Sequence, residues 1–463
     1  MEHKAKAVAV LLAATCVFSI IALILTVVNV KDVFLPPSTK YGLVFDAGST
    51  HTSLYIYQWS ADKENGTGIV SQVEACAVPG PGISSYADNP ALAGASLKPC
   101  LDKAMMIVPA KLQRETPTYL GATAGMRLLS TKADQVFAEV AKAIRQYPVD
   151  FRGAQILTGN EEGSFGWITV NYLLETLIKV RAWGKQSTHA TEVLGALDLG
   201  GASTQITFQP GGTIEDKNTS VLFRLYGTNY SLYTHSYLCY GQTQALKRLL
   251  VKVLQRMNPA TPHILLGSRS SLYDSPCVPT PSTPSTAEAL TVTGTGDPVA
   301  CRAAIQKLFN FTCGAHRTCG FNGIYQPPVR GQFFVRRPPF MWLWHWEGRG
   351  WELPLPLFER LHMYCSTAVY ILTLLLEGYK FDEHTWSSIH FSRRAANTDI
   401  GWTLGFMLNL TNMIPTEALV YVKGQQPGLW ASAIFFIVLT TVVGLVAIFL
   451  QSKLRGNSST LKP

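Results

Sequence analysis

Two short stretches of this chain echo each other, and they constrain its folding more than any other feature. Asp46-Ala47-Gly48-Ser49-Thr50 follows an apolar run at 41–45, and Asp198-Leu199-Gly200-Gly201-Ala202-Ser203-Thr204 follows another at 194–197. Each leads into a second strand-like run, so each reads as a β-hairpin with an acidic residue at the entrance to a glycine turn. Glycine lets backbone N–H groups come close to an anion, and the neighbouring hydroxyls add donors. Asp46 and Asp198 supply hard oxygen ligands suited to Mg²⁺ or Ca²⁺, usually through water. Facing one another, two such turns are predicted to clamp a polyphosphate and its cation from both sides.

At 463 residues the chain has room for two or more domains. Residues 7–28 and 429–450 contain no charge, and each run is long enough to cross a bilayer. The first is long for a signal peptide and lacks a clear small-residue cleavage site, so it reads as a retained anchor. Lys4 and Lys6 precede it, and Lys453, Arg455 and Lys462 follow the second run. The positive-inside tendency then puts both termini in the cytosol and the body outside, at the plasma membrane. Two spans per chain also make a homo-oligomer in the membrane an expectation.

Glycosylation triplets at Asn65, Asn218, Asn229, Asn310 and Asn409 agree with an exported body. So does the placement of every cysteine except Cys16 between the two spans. Cys76 with Cys100 and Cys313 with Cys319 are close enough in sequence for local bridges, and the absence of CxxC pairs argues against zinc. The net charge of +9 is not gathered into a basic stripe, apart from one unusual segment near residue 336, so nucleic acid is not an expected partner.

Strand-like and helix-like segments alternate through the body, which indicates an α/β class. Helices are expected over 86–108, 131–145, 164–180, 244–257, 365–379 and 399–410. Strands are expected over 41–59, 117–125, 155–158 and 222–240. A polar loop is expected near residue 186 and a Pro/Ser/Thr-rich surface loop over 277–298.

Three further elements carry chemistry. Gly121-Ala122-Thr123-Ala124-Gly125-Met126-Arg127 puts small residues and a hydroxyl after a strand. It suits close approach to phosphate, or a helix start packed on a sheet. Gly159-Asn160-Glu161-Glu162-Gly163 sets two carboxylates before a helix. They suit an N-terminal cap, or a base that takes a proton from water attacking a phosphoanhydride. Glu162 is the expected base and Glu161 its solvated neighbour. In residues 399–409, Gly405 suits a close helix crossing and Trp402 the floor of a site. His51 is a candidate phosphate donor.

Taken in order, VFDAGSTHT at 44–52, YLGATAGMR at 119–127, LTGNEEG at 157–163, ALDLGGASTQ at 196–205 and GWTLGFMLN at 401–409 resemble the five conserved regions of the ectonucleoside triphosphate diphosphohydrolases, or apyrases. Within that family the likeness is to the ecto-ATPase branch, subtype 8. The resemblance implies two ribonuclease-H-like lobes of the actin and sugar-kinase type around a central cleft. By it, lobe I is residues 36–162 plus 393–425 and lobe II is residues 163–392. It implies Ca²⁺- or Mg²⁺-dependent removal of terminal phosphates from extracellular ATP, ADP and other nucleoside tri- and diphosphates. Carried over by motif, Asp46 and Asp198 hold the metal through water. Gly48, Ser49, Thr50, His51, Gly200, Gly201, Ala202 and Ser203 bind phosphate, with Thr123 and Ala124 positioning it. Glu162 is the base, Gln205 helps to hold the attacking water, and Ser203 belongs with them in the catalytic group. The resemblance also implies a Cys239–Cys277 bridge.

Residues 333–356 depart from the family. Trp342, Trp344, Trp346 and Trp351 crowd beside Arg336 and Arg337, and consecutive prolines interrupt any helix. Family members carry there an aromatic-rich helix with a base-stacking tyrosine. A second shortening follows Met257. Cys301 and Cys365 lack the partners the family implies, which leaves them free, mispaired or bridged to each other. Two other readings are weighed against the hydrolase. One is a kinase of the same superfamily, which needs a sugar- or acid-binding pocket and cytosolic ATP, and which the expected topology opposes. The other is a nucleotide-binding ectoprotein with impaired or no catalysis, its second lobe being damaged.

Overall fold

The structure is a computed structural model that describes residues 2–27, 31–34, 38–61, 69–129, 132–177, 192–254, 273, 275–279, 297–314, 318–336, 361–413, 421–424 and 427–459. Two units arise from it. Met1–Ser38 and Glu417–Pro463 form one, and Thr39–Thr416 the other.

In the first unit, helices Glu2–Val27 and Pro427–Ser459 lie against each other, with the Phe18 and Phe436 rings 6.0 Å apart. Strand Lys31–Phe34 pairs antiparallel with Tyr421–Gly424. Within the helices, Lys6–Val27 and Gly428–Lys453 are long and apolar enough to cross a membrane. Their apolar side chains, among them Val10, Ile20, Phe435 and Leu445, are exposed. In water such a surface is unfavourable, whereas acyl chains match it.

The second unit holds two mixed sheets. In chain order the first contains β1 (Thr39–Ala47), β2 (Thr52–Ser60), β3 (Val70–Ala77), β4 (Pro117–Ala122) and β5 (Asp150–Ile156), arranged 3-2-1-4-5. The β1–β2 and β2–β3 pairs are antiparallel, and β4 and β5 join in parallel on the other side of β1. The second sheet contains β6 (Gly195–Leu199), β7 (Ser203–Phe208), β8 (Ser220–Leu225), β9 (Thr228–Leu238), β10 (Phe333–Arg336) and β11 (Ile389–Ser392), arranged 11-10-6-7-9-8. The five strands 9-7-6-10-11 repeat the pattern 3-2-1-4-5 with the same directions. The duplicated α/β architecture expected from the twin hairpins is therefore present, with β8 added at one edge.

Side-chain alternation along a strand sorts the hydrophobic layers. Leu43, Phe45 and Ala47 turn outward onto helices Pro90–Ser96, Lys98–Ile107 and Ala133–Ile144. Leu197 and Leu199 turn outward onto helices Gln242–Leu254, Pro298–Gln306 and Leu361–Thr373. Val44 and Ala196 have the opposite parity and meet in a middle layer shared by both sheets. Asp46 shares parity with Val44, and Asp198 with Ala196. Both aspartates thus project from the inner faces.

Helices Gly159–Leu173 and Trp402–Met413 fill that middle layer. Each is covered on nearly every side, so neither shows the one-sided apolar stripe of a surface helix. They cross at Gly405, where any β-carbon would run into the Phe165 carbonyl. The Thr169 hydroxyl donates to the Gly401 carbonyl at 2.6 Å and accepts from the Gly405 N–H at 2.9 Å. Asn171, buried in the first helix, both donates to the Leu194 carbonyl and accepts from the Leu194 N–H, at 2.9 and 2.8 Å. That pair of bonds sets where the chain enters β6, and so where Asp198 falls.

Several element boundaries differ from the expected ones. Strand β5 begins at Asp150 rather than at 155, and the following helix begins at Gly159 rather than at 164. The reason for the earlier start is a capping box. Thr158 Oγ1 accepts from the Glu161 N–H at 3.2 Å, while the Glu161 carboxylate accepts from the Thr158 N–H at 2.8 Å. Helix Leu361–Thr373 gives way to a wider π turn over Leu374–Gly378. The last helix starts at Trp402, not at 399.

Disulfides join Cys76 to Cys100, Cys239 to Cys277 and Cys313 to Cys319, and Cys301 and Cys365 are free thiols. Asn218, Asn229 and Asn310 are exposed, while Asn409 is half-buried in its helix. Asn65, the loop near residue 186, most of 277–298, residues 255–272 and residues 337–360 lie outside the described residues.

Candidate active site

The two glycine turns face each other. A β-carbon on Gly201 would meet Ser49 Oγ and Thr50 Cγ2, each at 2.7 Å. Only a residue without a side chain allows the turns to come this close. Between them lies a cleft of about 410 Å³, open mouth included. Asp46 and Asp198 line it with Gly48, Ser49, Thr50 and His51 from the first turn and Gly200, Gly201, Ala202 and Ser203 from the second. Thr123, Ala124, Glu162, Arg336 and Trp402 complete the wall, so each sequence-predicted phosphate and metal residue reaches one cavity. A larger hollow, about 680 Å³, sits between helices Pro90–Ser96 and Ala133–Ile144. It shares no lining residue with the cleft.

Asp46 is 7% exposed, and burial raises its pKa above the usual value. Arg336, a 2.9 Å hydrogen bond from Trp402 Nε1 to Asp46 Oδ1, and His51 pull it back, while Asp198 adds to the rise. Trp402 thus lines the cleft and holds one of the two aspartates. Thr50 Oγ1 and His51 Nδ1 are 3.0 Å apart, a contact that orders the tip of the first turn.

The adjacent carboxylates at 161 and 162 separate completely. Glu161 is exposed and satisfies the helix cap. Glu162, 7% exposed, points into the cleft from the first turn of the helix, not from the residue before it as the sequence suggests. Arg127 Nη2 donates to Glu162 Oε2 at 2.7 Å and to Ser203 Oγ at 3.1 Å, and Nη1 donates to the Leu157 carbonyl at 3.0 Å. Gln205 Nε2 donates to Glu162 Oε2 at 3.1 Å, to Ser203 Oγ at 2.7 Å and to Ser236 Oγ at 2.9 Å. Burial lifts the Glu162 pKa to about 7; Arg127 opposes the rise, and Asp198 and Asp46 assist it. Such a carboxylate is poised to accept a proton near neutral pH.

Gln205 Oε1 is buried without a hydrogen-bond partner among the described residues. The Glu162 carboxylate requires the amide N–H on its own side, which leaves the oxygen as an acceptor for a small donor such as water.

Asp46 and Asp198 also fit a hard cation. Among the described residues no group of three or more His, Cys, Asp and Glu converges on one point. Two carboxylates alone suit an ion that keeps waters or takes phosphate oxygens, as Mg²⁺ and Ca²⁺ do, and do not suit zinc.

Sequence reasoning gave no role to Arg127, Ser236 or Arg336. Arg127 ends a run of small residues, and its long side chain crosses to a carboxylate 35 positions away. A lone guanidinium after a glycine-rich run was the available signal. Arg336 lines the same cleft from the end of β10.

Paired lobes of this topology, with opposed glycine turns and a poised carboxylate between them, define an enzyme of the ribonuclease-H-like, actin-type class that handles phosphoryl groups. The chain belongs to the GDA1/CD39 (nucleoside phosphatase) family, whose model matches residues 33–336 and 354–423. The unmatched stretch lies inside the atypical segment, although the match runs on through Arg336 and past the expected break at 333. Ectonucleoside triphosphate diphosphohydrolase 8 of Gallus gallus is 69% identical over 97% of this chain and 99% of its own length. The protein of that name from Homo sapiens is 48% identical over 97% and 98%. A crystal structure of nucleoside triphosphate hydrolases from Neospora caninum aligns with a TM-score of 0.55 at 14% identity, covering 81% of this chain and 93% of that one, a likeness of fold.

Proposed function

We propose that this enzyme is a membrane-anchored hydrolase that removes terminal phosphates from extracellular nucleoside tri- and diphosphates. The observation that carries the reading is Glu162, raised toward neutrality and held by Arg127 and Gln205 beside two opposed anion-binding turns. The family is one of divalent-cation-dependent nucleotidases, and Asp46 and Asp198 are the residues that would hold Ca²⁺ or Mg²⁺ through water. That cation, when bound, offsets the charge of the phosphates.

The turn amides and the hydroxyls of Ser49, Thr50 and Ser203, with His51, bind phosphate oxygens, and Thr123 and Ala124 position the chain of phosphates. Glu162 takes a proton from a water that Gln205 Oε1 and Ser203 hold. The water oxygen forms a bond to the terminal phosphorus as the anhydride bond breaks. Inorganic phosphate leaves on one side and the shortened nucleotide on the other. Arg127 keeps Glu162 aimed at the water. The two terminal helices anchor the chain, with both termini cytosolic and the body outside the cell.

Cells expressing the chain should release phosphate from external ATP and ADP in Ca²⁺ or Mg²⁺. Glu162→Gln should lower that release by about 10²–10⁴-fold, the usual worth of a general base. Nucleotide bound without phosphate release by the unmodified chain would sink the proposal and favour a non-catalytic binding protein.

A further inference from the structure

Strands β6 and β10 run in parallel, with Phe333 beside Gly195, Phe334 beside Ala196 and Val335 beside Leu197. One step further along that register, Arg336 falls beside Asp198. Adjacent strands lie about 4.8 Å apart, so side chains at paired positions on the same face are neighbours. Phe334 and Ala196 both face the middle layer, and the period of two puts Arg336 on that face with Asp198. Arg336 accordingly lines the cleft together with Asp46 and Asp198, and also the smaller hollow behind Asp198.

The guanidinium keeps its charge there. Arginine stays protonated in proteins, whatever surrounds it. Arg127, which reaches Glu162 and Ser203 of the cleft wall, is committed to those two side chains. Among the described residues, Arg336 is the Lys or Arg that lines the cleft with the aspartate pair.

We propose that Arg336 is a built-in counter-cation of the cleft, whose guanidinium competes with a divalent ion for Asp46 and Asp198 and so weakens the hold on that ion. The inference rests on the reading that these two aspartates are the cation site. A guanidinium is permanently charged, and its planar fork suits carboxylates. Unlike a bound ion it cannot leave, and it either swings aside when the ion enters or repels it. A charge lining the same cleft as the aspartates should cost the ion at least about tenfold in affinity in a partly screened site.

The test is a titration of the full-length chain in lipid nanodiscs with Mn²⁺ alone, the free ion being read by electron paramagnetic resonance. Arg336→Met and Arg336→Gln should each bind Mn²⁺ at least about tenfold more tightly than the unmodified chain. Arg336→Lys, which keeps the charge, should stay close to it, and adding Asp198→Asn to Arg336→Met should abolish the gain. Equal affinity in the unmodified, Met and Gln forms overturns the inference and leaves the two-aspartate cation site standing. Tightening in the Lys form equal to that in the Met form also overturns it. Mn²⁺ bound by none of the forms overturns it together with the cation reading.

Discussion

Trp402 Nε1 donates a hydrogen bond of 2.9 Å to Asp46 Oδ1 across 356 positions of sequence. The bond joins the start of a helix in the middle layer to the end of β1, and it is one of the few influences that lower the pKa of a buried carboxylate. Trp402→Phe keeps most of the packing and removes the donor. Hydrogen bonds to charged groups contribute about 1.5–3 kcal/mol, so the Ca²⁺ or Mg²⁺ concentration for half-maximal phosphate release should rise about tenfold. Because that donor favours the ionised form, activity should also fail at a higher pH on the acid side. An unchanged cation requirement in Trp402→Phe would contradict this.

The Glu162 carboxyl, pushed to about 7 chiefly by burial, sets the acid limb of the reaction. As a base it works only when deprotonated, so kcat/KM should climb through pH of about 7. Arg127 lowers that value, so Arg127→Met should move the limb to higher pH. The sign for stability is opposite. A carboxyl raised in the folded state binds its proton more tightly there than in the unfolded chain. Its contribution is complete below the ordinary value of 4.5 and is lost as pH rises through about 7. Thermal melts from pH 5 to 8 should therefore fall more steeply for the unmodified chain than for Glu162→Gln.

Gly201→Ala tests the opposition of the two turns. The added carbon would press on Ser49 and Thr50, so the turns must separate by a fraction of an ångström. Small misplacements of a bound reactant can cost about 10²-fold, and kcat/KM should drop on that scale with little change in circular dichroism. A fully active Gly201→Ala would mean that the turns do not share one substrate.

Cys301 and Cys365 lie on helices Pro298–Gln306 and Leu361–Thr373, and each is a free thiol. Burial, the Cys365 thiol and Asp297 raise the pKa of Cys301, whereas Cys365 is exposed. Since the thiolate is the reactive form, iodoacetamide should label Cys365 about tenfold faster than Cys301 on the native protein. The six bridged cysteines should stay unlabelled until reductant is added. Peptide mapping by mass spectrometry reads both outcomes.

The twin turns could be read from the chain because each is local. A strand, a glycine turn and an acid at its entrance occupy consecutive positions, and period-two alternation decides which way the acid points. The α/β class, the apolar terminal helices and two short-range disulfides were legible for the same reason. The choice between Glu161 and Glu162 was legible only as a preference. It turns on where a helix begins, and the Thr158 capping box decides that.

What tertiary structure alone decided is which distant groups come together around the site. Trp402 on Asp46, Arg127 and Gln205 on Glu162, and Arg336 beside Asp198 all depend on how the two sheets and the middle helices pack. No spacing along the chain encodes those distances. Sequence periodicity fixes the face from which a side chain leaves its own element, whereas its partner and its pKa follow from the neighbouring element and from the water that packing excludes.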